Sequence, residues 1–257
     1  MNLHDNTILI TGGGTGIGRA LAEKLHYYGN QVIVAGRREN VLRDLCAANP
    51  GMEYFVLDVA DAASVAGVGA KAAQEFPRLN CVVNSAGVQS RGVKFGAENG
   101  ASSFNDAAMF SEIQTNLSGT IRMCAAFIPQ LKGKAGATII NVSSGLAFVP
   151  LAWIPIYCAT KAAVHSFTLS LRRQLRDESI RVQELIPPYV KTDLGGMQTQ
   201  PVNFRPSMQP MPLADFTERA VEGLVGDLDE VIVGGAAGLA AAGGLESAKT
   251  LFARMNP

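Results

Sequence analysis

The sequence predicts an α/β fold, a single doubly wound parallel sheet with helices on both faces. Two observations predict it: short apolar segments alternate with longer segments of helical periodicity, and a glycine-rich turn follows the first apolar segment. The chain has 257 residues, of which 47% are hydrophobic, so one domain can bury a sizeable core. We therefore expect a single domain over residues 1–257.

The individual elements follow this alternation in order. A β-branched run at 7–11 predicts the first strand, and a helix at 19–28, ended by Gly29, follows the glycine turn. Further strands are predicted at 31–35, 54–57, 81–83, 138–142, 181–186 and 230–233. Further helices are predicted at 39–48, 62–76, 110–131 and 156–176, with a last helix capped by Asp215 and running to about 228. We expect the proline-rich loop at 187–213 to line a substrate site, and the glycine-rich tail at 234–238 to be mobile or to form a further contact.

The glycine turn between the first strand and the first helix is typical of a dinucleotide-binding site. Glycines let the backbone approach a pyrophosphate closely, and the amides at the start of the helix favour its negative charge. A merely flexible turn is the alternative, but it does not predict the strand before the turn and the helix after it. The candidate cofactor contacts in this turn are Gly12, Thr15, Gly16, Ile17 and Gly18.

Tyr157 and Lys161 form the strongest candidate for a catalytic pair. They lie four residues apart in a predicted helix, so their side chains share one face. The ammonium of Lys161 is expected to favour the phenolate, and so to lower the pKa of Tyr157 from its ordinary value of ~10. Such pairs also occur on exposed helices without any function, but here Ser144 lies upstream in a predicted turn and the glycine turn opens the chain.

These motifs together resemble the short-chain dehydrogenase/reductase family, from the first strand to about Thr192. The matching residues are Thr11, Gly12, Gly16 and Gly18 of a Thr-Gly-x-x-x-Gly-x-Gly pattern, Asn84, Ala86 and Gly87 of an Asn-x-Ala-Gly element, and Asn116, Ser144, Tyr157 and Lys161. After the sixth strand the family usually has Pro-Gly, whereas this chain has Pro187 and Pro188. In this segment it is similar to a group of bacterial oxidoreductases labelled DltE-like.

The resemblance implies a Rossmann-type fold and hydride transfer between a nicotinamide cofactor and a small carbonyl or alcohol substrate. Tyr157 would be the general acid or base, Ser144 would position the substrate oxygen, Lys161 would bind the nicotinamide ribose, and Asn116 would hold a water that links the lysine to solvent. The further cofactor contacts that the resemblance implies are Asp58, Val59, Asn84, Ala86, Gly87, Val190 and Thr192.

The end of the second predicted strand indicates which cofactor is bound. An acidic residue there would bond the ribose hydroxyls of NAD and repel a 2′-phosphate, but the chain has Gly36 followed by Arg37 and Arg38. A guanidinium can hold the phosphate through two charge-assisted hydrogen bonds, so NADP(H) is favoured over NAD(H), with Arg37 as the main partner. Arg38 either assists or faces solvent. A solvated arginine pair is the alternative, and Thr15 stands where many NADP users of the family have Lys or Arg.

Charge and composition restrict the partners. The formal net charge is zero, which excludes the basic surface typical of nucleic-acid binding or of attachment to anionic membranes. We expect no membrane-spanning segment and a cytoplasmic protein. The four cysteines lie singly, without metal-ligand spacing, so we expect reduced thiols and no metal site.

Two other function classes and the assembly state stay open at this point. A regulator that senses NADP without chemistry would not need Ser144, Tyr157 and Lys161 together. An epimerase or dehydratase of the extended branch typically carries an additional substrate domain, for which this chain has little length. The long helices predicted at 110–131 and 156–176 pair across a two-fold axis in the family that the chain resembles, which implies a homodimer or homotetramer.

Overall fold

A computed structural model describes residues 2–90, 105–195, 209–226 and 228–242. Residues 196–208 of the expected substrate loop lie outside the described residues. The strands in the described part are β1 (Thr7–Thr11), β2 (Gln31–Gly36), β3 (Glu53–Val56), β4 (Cys81–Asn84), β5 (Thr138–Val142), β6 (Arg181–Ile186) and β7 (Glu230–Ile232). The helices there are α1 (Gly16–Tyr27), α2 (Glu39–Ala48), α3 (Ala62–Glu75), α4 (Asp106–Ile113), α5 (Gly119–Leu131), α6 (Pro155–Leu175), α7 (Leu213–Val225) and α8 (Ala236–Ala241).

The strands form one parallel sheet in the order β3-β2-β1-β4-β5-β6-β7. The strand order reverses between β1 and β4, where Thr11 of β1 pairs with Ala35 of β2 on one side and Asn84 of β4 on the other. The chain therefore leaves the carboxyl ends of β1 and β4 in opposite directions. The crevice between the diverging chains is where ligands bind in open α/β sheets.

Both faces of the sheet are buried, which confirms the predicted doubly wound fold. Ile8 and Ile10 of β1 pack in a cluster with residues of α1 and α7, whereas Leu9 between them packs in a second cluster with residues of α3, α5 and α6. Because successive side chains of a strand point to opposite faces, helices on both sides require apolar residues at every position. The strand β1 is accordingly buried along its whole length.

The structure corrects the single helix predicted at 110–131. A π-helical turn at Gln114–Ser118 separates α4 from α5 and contains Asn116. Thr120 Oγ1 donates a hydrogen bond of 2.9 Å to the Asn116 carbonyl oxygen, which helps to satisfy the backbone where the helical ladder changes. Such turns frequently occur at functional sites.

One smaller prediction near the carboxyl-terminal end was wrong. Asp215 does not cap the last long helix, because α7 begins at Leu213 after Pro212 and places Asp215 in its first turn. Of the two possibilities stated for the residues at 234–238, the structure shows the contact: they include the start of α8, which packs against a 3₁₀ turn at Gly145–Ala147. A Cβ on Gly145 would lie only 2.9 Å from Leu239 Cδ1.

The four cysteines, Cys46, Cys81, Cys124 and Cys158, are free thiols, as predicted. Burial raises the pKa of Cys81 and Cys124 to about 12, so both are unreactive at neutral pH. Among the described helices, none combines the length and the apolar character needed to cross a membrane.

Candidate active site

A cleft with a volume of about 660 Å³ lies at the carboxyl ends of the strands, at the reversal of strand order. Most of the residues predicted from the sequence line it. They are Gly12, Thr15, Gly16, Ile17, Gly18, Arg37, Arg38, Asp58, Val59, Ala86, Gly87, Ser144, Tyr157, Lys161, Val190 and Thr192. The two predicted residues that do not line the cleft are Asn84 and Asn116.

The glycine turn forms one wall of the cleft. Gly12 has a φ of +66°, and a Cβ there would lie 2.8 Å from the Ala86 Cα atom on the neighbouring chain segment. A Cβ on Gly18 would overlap the carbonyl group of Gly12, so a glycine is needed where α1 packs against the turn. The result is a narrow backbone cradle that ends at the first amides of α1, which is the shape and polarity that a pyrophosphate requires.

The two arginines after β2 lie at the open side of this cradle. Arg37 and Arg38 are both exposed, and Arg38 Nη2 donates a hydrogen bond of 3.2 Å to Thr15 Oγ1. Arg38 therefore reaches the glycine turn while it remains exposed to solvent. Its guanidinium places a positive charge beside Thr15. Thr15 is the position at which many NADP users of the family have Lys or Arg.

The segment after β6 closes the cleft over the glycine turn. Val190 pairs with Met211 in an isolated parallel bridge, which fixes the start of the segment. A Cβ on Gly16 would lie 3.6 Å from the side chain of Thr192, so Thr192 stands directly opposite the turn. The Pro187 carbonyl oxygen accepts a hydrogen bond of 2.9 Å from the Gly145 amide, which joins this segment to the turn that carries Ser144.

Two of the predicted cofactor contacts have local structural roles. Asp58 lines the cleft, but its Oδ1 also accepts a hydrogen bond of 2.9 Å from the Ala60 amide and so caps the turn after β3. Asn84 is buried, and its Nδ2 donates to Asn141 Oδ1 at 2.9 Å and contacts Cys124 Sγ at 3.3 Å. The Asn84 side chain thus joins β4 to β5 and α5 inside the protein.

Ser144 and Tyr157 meet at the inner end of the cleft. Both are buried, and the Ser144 hydroxyl lies near enough to the phenol to influence its pKa as a hydrogen-bonding group. Ser144 is fixed because its Oγ also accepts a hydrogen bond of 3.1 Å from the Leu146 amide. Burial raises the pKa of Tyr157 well above its usual range, while the hydrogen bond from Ser144 acts in the opposite direction. The expected lowering of this pKa was wrong for the protein alone, because desolvation is the larger effect.

Lys161 lies one helical turn beyond Tyr157, as their spacing predicted. Its Nζ is 5.7 Å from the centre of the Tyr157 ring and donates a hydrogen bond of 2.8 Å to the Val142 carbonyl oxygen at the end of β5. Burial lowers the pKa of Lys161 from 10.5 to about 8, and the nearby carboxylates of Glu184 and Glu112 oppose this effect. At neutral pH the side chain is therefore mostly protonated, with a pKa only slightly above the pH.

Asn116 does not line the cleft, but it bonds to two segments beside it, one after β4 and one on α6. Its Oδ1 accepts from the Val88 amide at 2.8 Å, and its Nδ2 donates to the Val88 carbonyl at 2.9 Å and to Thr160 Oγ1 at 3.1 Å. A Cβ on Gly87 would lie 3.5 Å from Asn116 Oδ1 and 3.9 Å from Lys161 Nζ, so the three residues are neighbours. The π-helical turn is what brings the amide of Asn116 to this position.

A sequence profile of the family described as short chain dehydrogenase matches residues 6–202. The chain belongs to the short-chain dehydrogenase family. The uncharacterized oxidoreductase DltE of Bacillus subtilis (strain 168) is 44% identical over 195 residues, which are 76% of this chain and 75% of that protein. The similarity to the DltE-like group is thereby confirmed. As a short-chain dehydrogenase, the chain is an oxidoreductase of a family that binds a nicotinamide cofactor and acts on small molecules.

Two solved structures have the same fold as this short-chain dehydrogenase. One is a short-chain dehydrogenase from Burkholderia cenocepacia J2315 in complex with NADP, with a TM-score of 0.82 and 26% identity, covering 99% of each chain. The other is a 3-ketoacyl-(acyl-carrier-protein) reductase from Brucella melitensis complexed with NADH, with a TM-score of 0.76 and 25% identity, covering 88% of this chain and 93% of that one. The two neighbours hold different cofactors, so the likeness alone does not decide between NADP and NAD.

Sequence reasoning missed three charged or titratable residues around Lys161. They are Glu112 on α4, His165 on α6 and Glu184 on β6. One signal could have indicated Glu184: a carboxylate in the middle of a strand predicted to be buried needs a partner. His165, one helical turn after Lys161, was a candidate for that partner.

Proposed function

We propose that this short-chain dehydrogenase is an NADP(H)-dependent oxidoreductase acting on a small carbonyl or alcohol, with Tyr157 as its general acid or base. The observation that carries the proposal is the meeting of Ser144, Tyr157 and Lys161 at the inner end of a cleft whose other end holds the glycine cradle and two arginines. The glycine cradle would hold the pyrophosphate of a dinucleotide, and Lys161 would hold its nicotinamide ribose.

The chemistry of this chain follows from the protonation of its side chains. When bound, the cofactor supplies or accepts the hydride. Tyr157 is a neutral phenol at neutral pH, since burial raises its pKa, and so it can donate a proton to a carbonyl oxygen. Ser144 holds that oxygen beside the phenol through its own hydroxyl. Lys161 places an ammonium near Tyr157, which stabilises the tyrosinate left after the transfer.

Arg37 and Arg38 support the choice of NADP(H). Gly36 presents no carboxylate to a 2′-phosphate, and both guanidinium groups line the cleft next to the glycine turn. Arginine holds a phosphate through paired hydrogen bonds that NAD cannot make. We assign the main phosphate contact to Arg37 and a supporting contact to Arg38, which is already oriented by Thr15.

The substrate end of the cleft is mostly apolar in the described part of the chain. Leu151, Trp153, Ile154, Leu194 and Leu239 line it around Tyr157 and Ser144. A polar carbonyl group would bind at the two hydroxyls, while apolar substituents would contact these side chains. This lining favours a carbonyl substrate with apolar substituents.

The test is to mix the purified protein with NADPH or NADH and a panel of aldehydes and ketones, and to follow the loss of reduced cofactor by absorbance. Oxidation of NADPH that needs a carbonyl compound is the expected result. A protein that binds NADPH tightly but oxidises it with none of the compounds would instead be the regulator considered above. Equal rates with NADH would contradict the role of Arg37 and Arg38.

We also propose that the chain forms a homodimer or homotetramer through α4, α5 and α6. Each of these helices exposes a large apolar side chain: Phe110 on α4, Ile121 on α5 and Leu169 on α6. We expect these exposed apolar side chains to be covered in the subunit contact.

A further inference from the structure

The side of Lys161 that faces away from the cleft contains a carboxylate that the proposed chemistry does not use. Glu184 lies in β6, and its side chain has no solvent exposure. The register pairs it with Asn141 of β5, whose Nδ2 donates to Thr168 of α6 at 3.0 Å. Side chains of paired residues in a parallel sheet point to the same face. Glu184 is thus directed at α6, the helix that carries Tyr157 and Lys161.

The hydrogen-bond partner of Glu184 on that helix is His165. Its Nδ1 is 2.8 Å from Glu184 Oε2, and because an ionised carboxylate only accepts, the imidazole donates this hydrogen bond. The imidazole ring packs edge-on against Phe148, with the ring centres 4.7 Å apart, and it retains 22% of its side-chain exposure. His165 therefore holds the buried carboxylate in place from the protein surface.

The second carboxylate oxygen of Glu184 has a different environment. Within the described part of the chain, no donor lies within hydrogen-bond distance of Glu184 Oε1. An ionised oxygen buried without a donor is costly unless a positive charge lies nearby. Lys161 lies one turn before His165 on the same face of α6, and its Nζ bonds to Val142, which follows Asn141 at the end of β5. This geometry places the Lys161 ammonium on the side of the sheet that Glu184 faces, without a direct ion pair between them.

We propose that Glu184, held by His165, is a positioning residue that acts through Lys161: its carboxylate is the counter-charge that keeps the buried side chain of Lys161 protonated at the cofactor site. The groups that face Lys161 are Tyr157 on its own helix, Glu112 on α4, Glu184 on β6 and the Val142 carbonyl on β5. Glu184 raises the pKa of Lys161 more than Glu112 does. The effect on turnover rests on the proposed function, whereas the effect on Lys161 itself does not.

A metal ion is the competing explanation of the same group of residues. Ligand atoms of His165, Glu184 and Glu230 lie within 4.8 Å of one another. However, Arg172 Nη1 already lies 3.7 Å from Glu230 Oε1, and His165 already donates to Glu184. Two of the three residues thus have a positive or donating partner, so the arrangement fits a hydrogen-bonded charge pair better than a cation site.

The experiment measures the pKa of Lys161 by NMR titration of ¹⁵N-labelled lysine side chains in the full chain, with Lys161→Arg used only to identify the signal. In Glu184→Gln we expect this pKa to fall by roughly one pH unit, because an opposite charge is lost at close range. Glu184→Asp keeps the charge but withdraws it by one methylene, so a smaller fall is expected. Glu230→Gln is the matched control, since it removes a carboxylate of the same cluster that bonds to Arg172, and it should leave the pKa unchanged.

The pH profile of NADPH turnover supplies a second readout, whose alkaline limb should move to lower pH in Glu184→Gln by the same amount. An unchanged Lys161 pKa in this variant overturns the proposal, as does an equal fall in Glu230→Gln. If Glu184→Gln does not fold, an unchanged or raised pKa in Glu184→Asp overturns it. Binding of Mn²⁺ or Zn²⁺ by the parent that Glu230→Gln abolishes would show a metal site instead. The NMR titration needs no substrate, so a protein that reduces no carbonyl compound contradicts the proposed function and still tests the role of Glu184.

Discussion

Replacing Tyr157 with Phe removes one oxygen atom and should separate binding from chemistry. The residue is buried beside Ser144, which keeps the Leu146 amide as a hydrogen-bond partner, so the loss of the phenol oxygen should change the stability little. The phenyl ring keeps the packing against Leu151, Ile154 and Cys158. Turnover should fall by roughly 10²- to 10⁴-fold, which is what a positioned general acid contributes. The affinity for NADPH should change by only a few-fold.

The assay compares carbonyl-dependent oxidation of NADPH with NADPH binding, measured by fluorescence titration on the same protein preparations. Tyr54→Phe is the matched control, because it removes the same atom from a tyrosine whose hydroxyl bonds to Glu39 at an exposed position. This control should keep the parent turnover. A folded Tyr157→Phe protein that reduces a confirmed substrate at nearly the parent rate would refute the assignment of Tyr157 as the acid.

Three further predictions concern the cofactor, the buried lysine and the assembly. Arg37→Asp should weaken NADPH binding about tenfold to a hundredfold, since a charge-assisted contact is worth ~1.5–3 kcal/mol, and it should spare NADH binding. Titration with both cofactors checks this prediction. An unchanged affinity for NADPH would show that Arg37 does not contact the phosphate. Lys161→Met should abolish turnover, and it should remove the rise in the free energy of unfolding that the parent shows between about pH 8 and pH 10.5, because burial lowers the pKa of Lys161 from 10.5 to about 8. Urea unfolding across this pH range checks the prediction, and an equal rise in the variant would contradict it. In light scattering, Leu169→Glu should shift the oligomer towards monomer. Tyr27→Ser is the control, because it changes an exposed side chain on α1, and it should leave the oligomer unchanged. A parent protein that is monomeric at micromolar concentration would contradict the proposed contact.

The sequence predicted the sheet and the cleft well because both depend on local patterns. The strands β5 and β6 and the helix α2 were predicted with the bounds that the structure shows. The alternation of strands and helices leaves few ways to cover both faces of a parallel sheet. The glycine turn and the Tyr157–Lys161 pair are local patterns as well. The turn lies between β1 and α1, and the pair lies on α6.

Features that depend on long-range partners were not predictable in the same way. The π-helical turn at Gln114–Ser118 interrupts a segment whose periodicity is helical throughout, and it exists where Asn116 bonds to Val88 and Thr160 on two other segments. The structural role of Asn84 was not predicted for a similar reason, because its bonds to Asn141 and Cys124 join elements far apart in sequence. Arg38 was left undecided because its bond to Thr15 crosses from β2 to the glycine turn.

The charge state of the proposed site also depends on such distant partners. Burial acts on Tyr157 and Lys161 in the same sense, since it raises the pKa of the phenol and lowers that of the ammonium. Both shifts oppose charge, so the protein alone holds a neutral phenol that is ready to donate a proton. To accept a proton from an alcohol, Tyr157 must first ionise, which needs the ammonium of Lys161 and the positive charge that an oxidised nicotinamide adds. On the proposed role of Glu184, its carboxylate keeps that ammonium charged, and it therefore supports the tyrosinate in both directions of the proposed reaction.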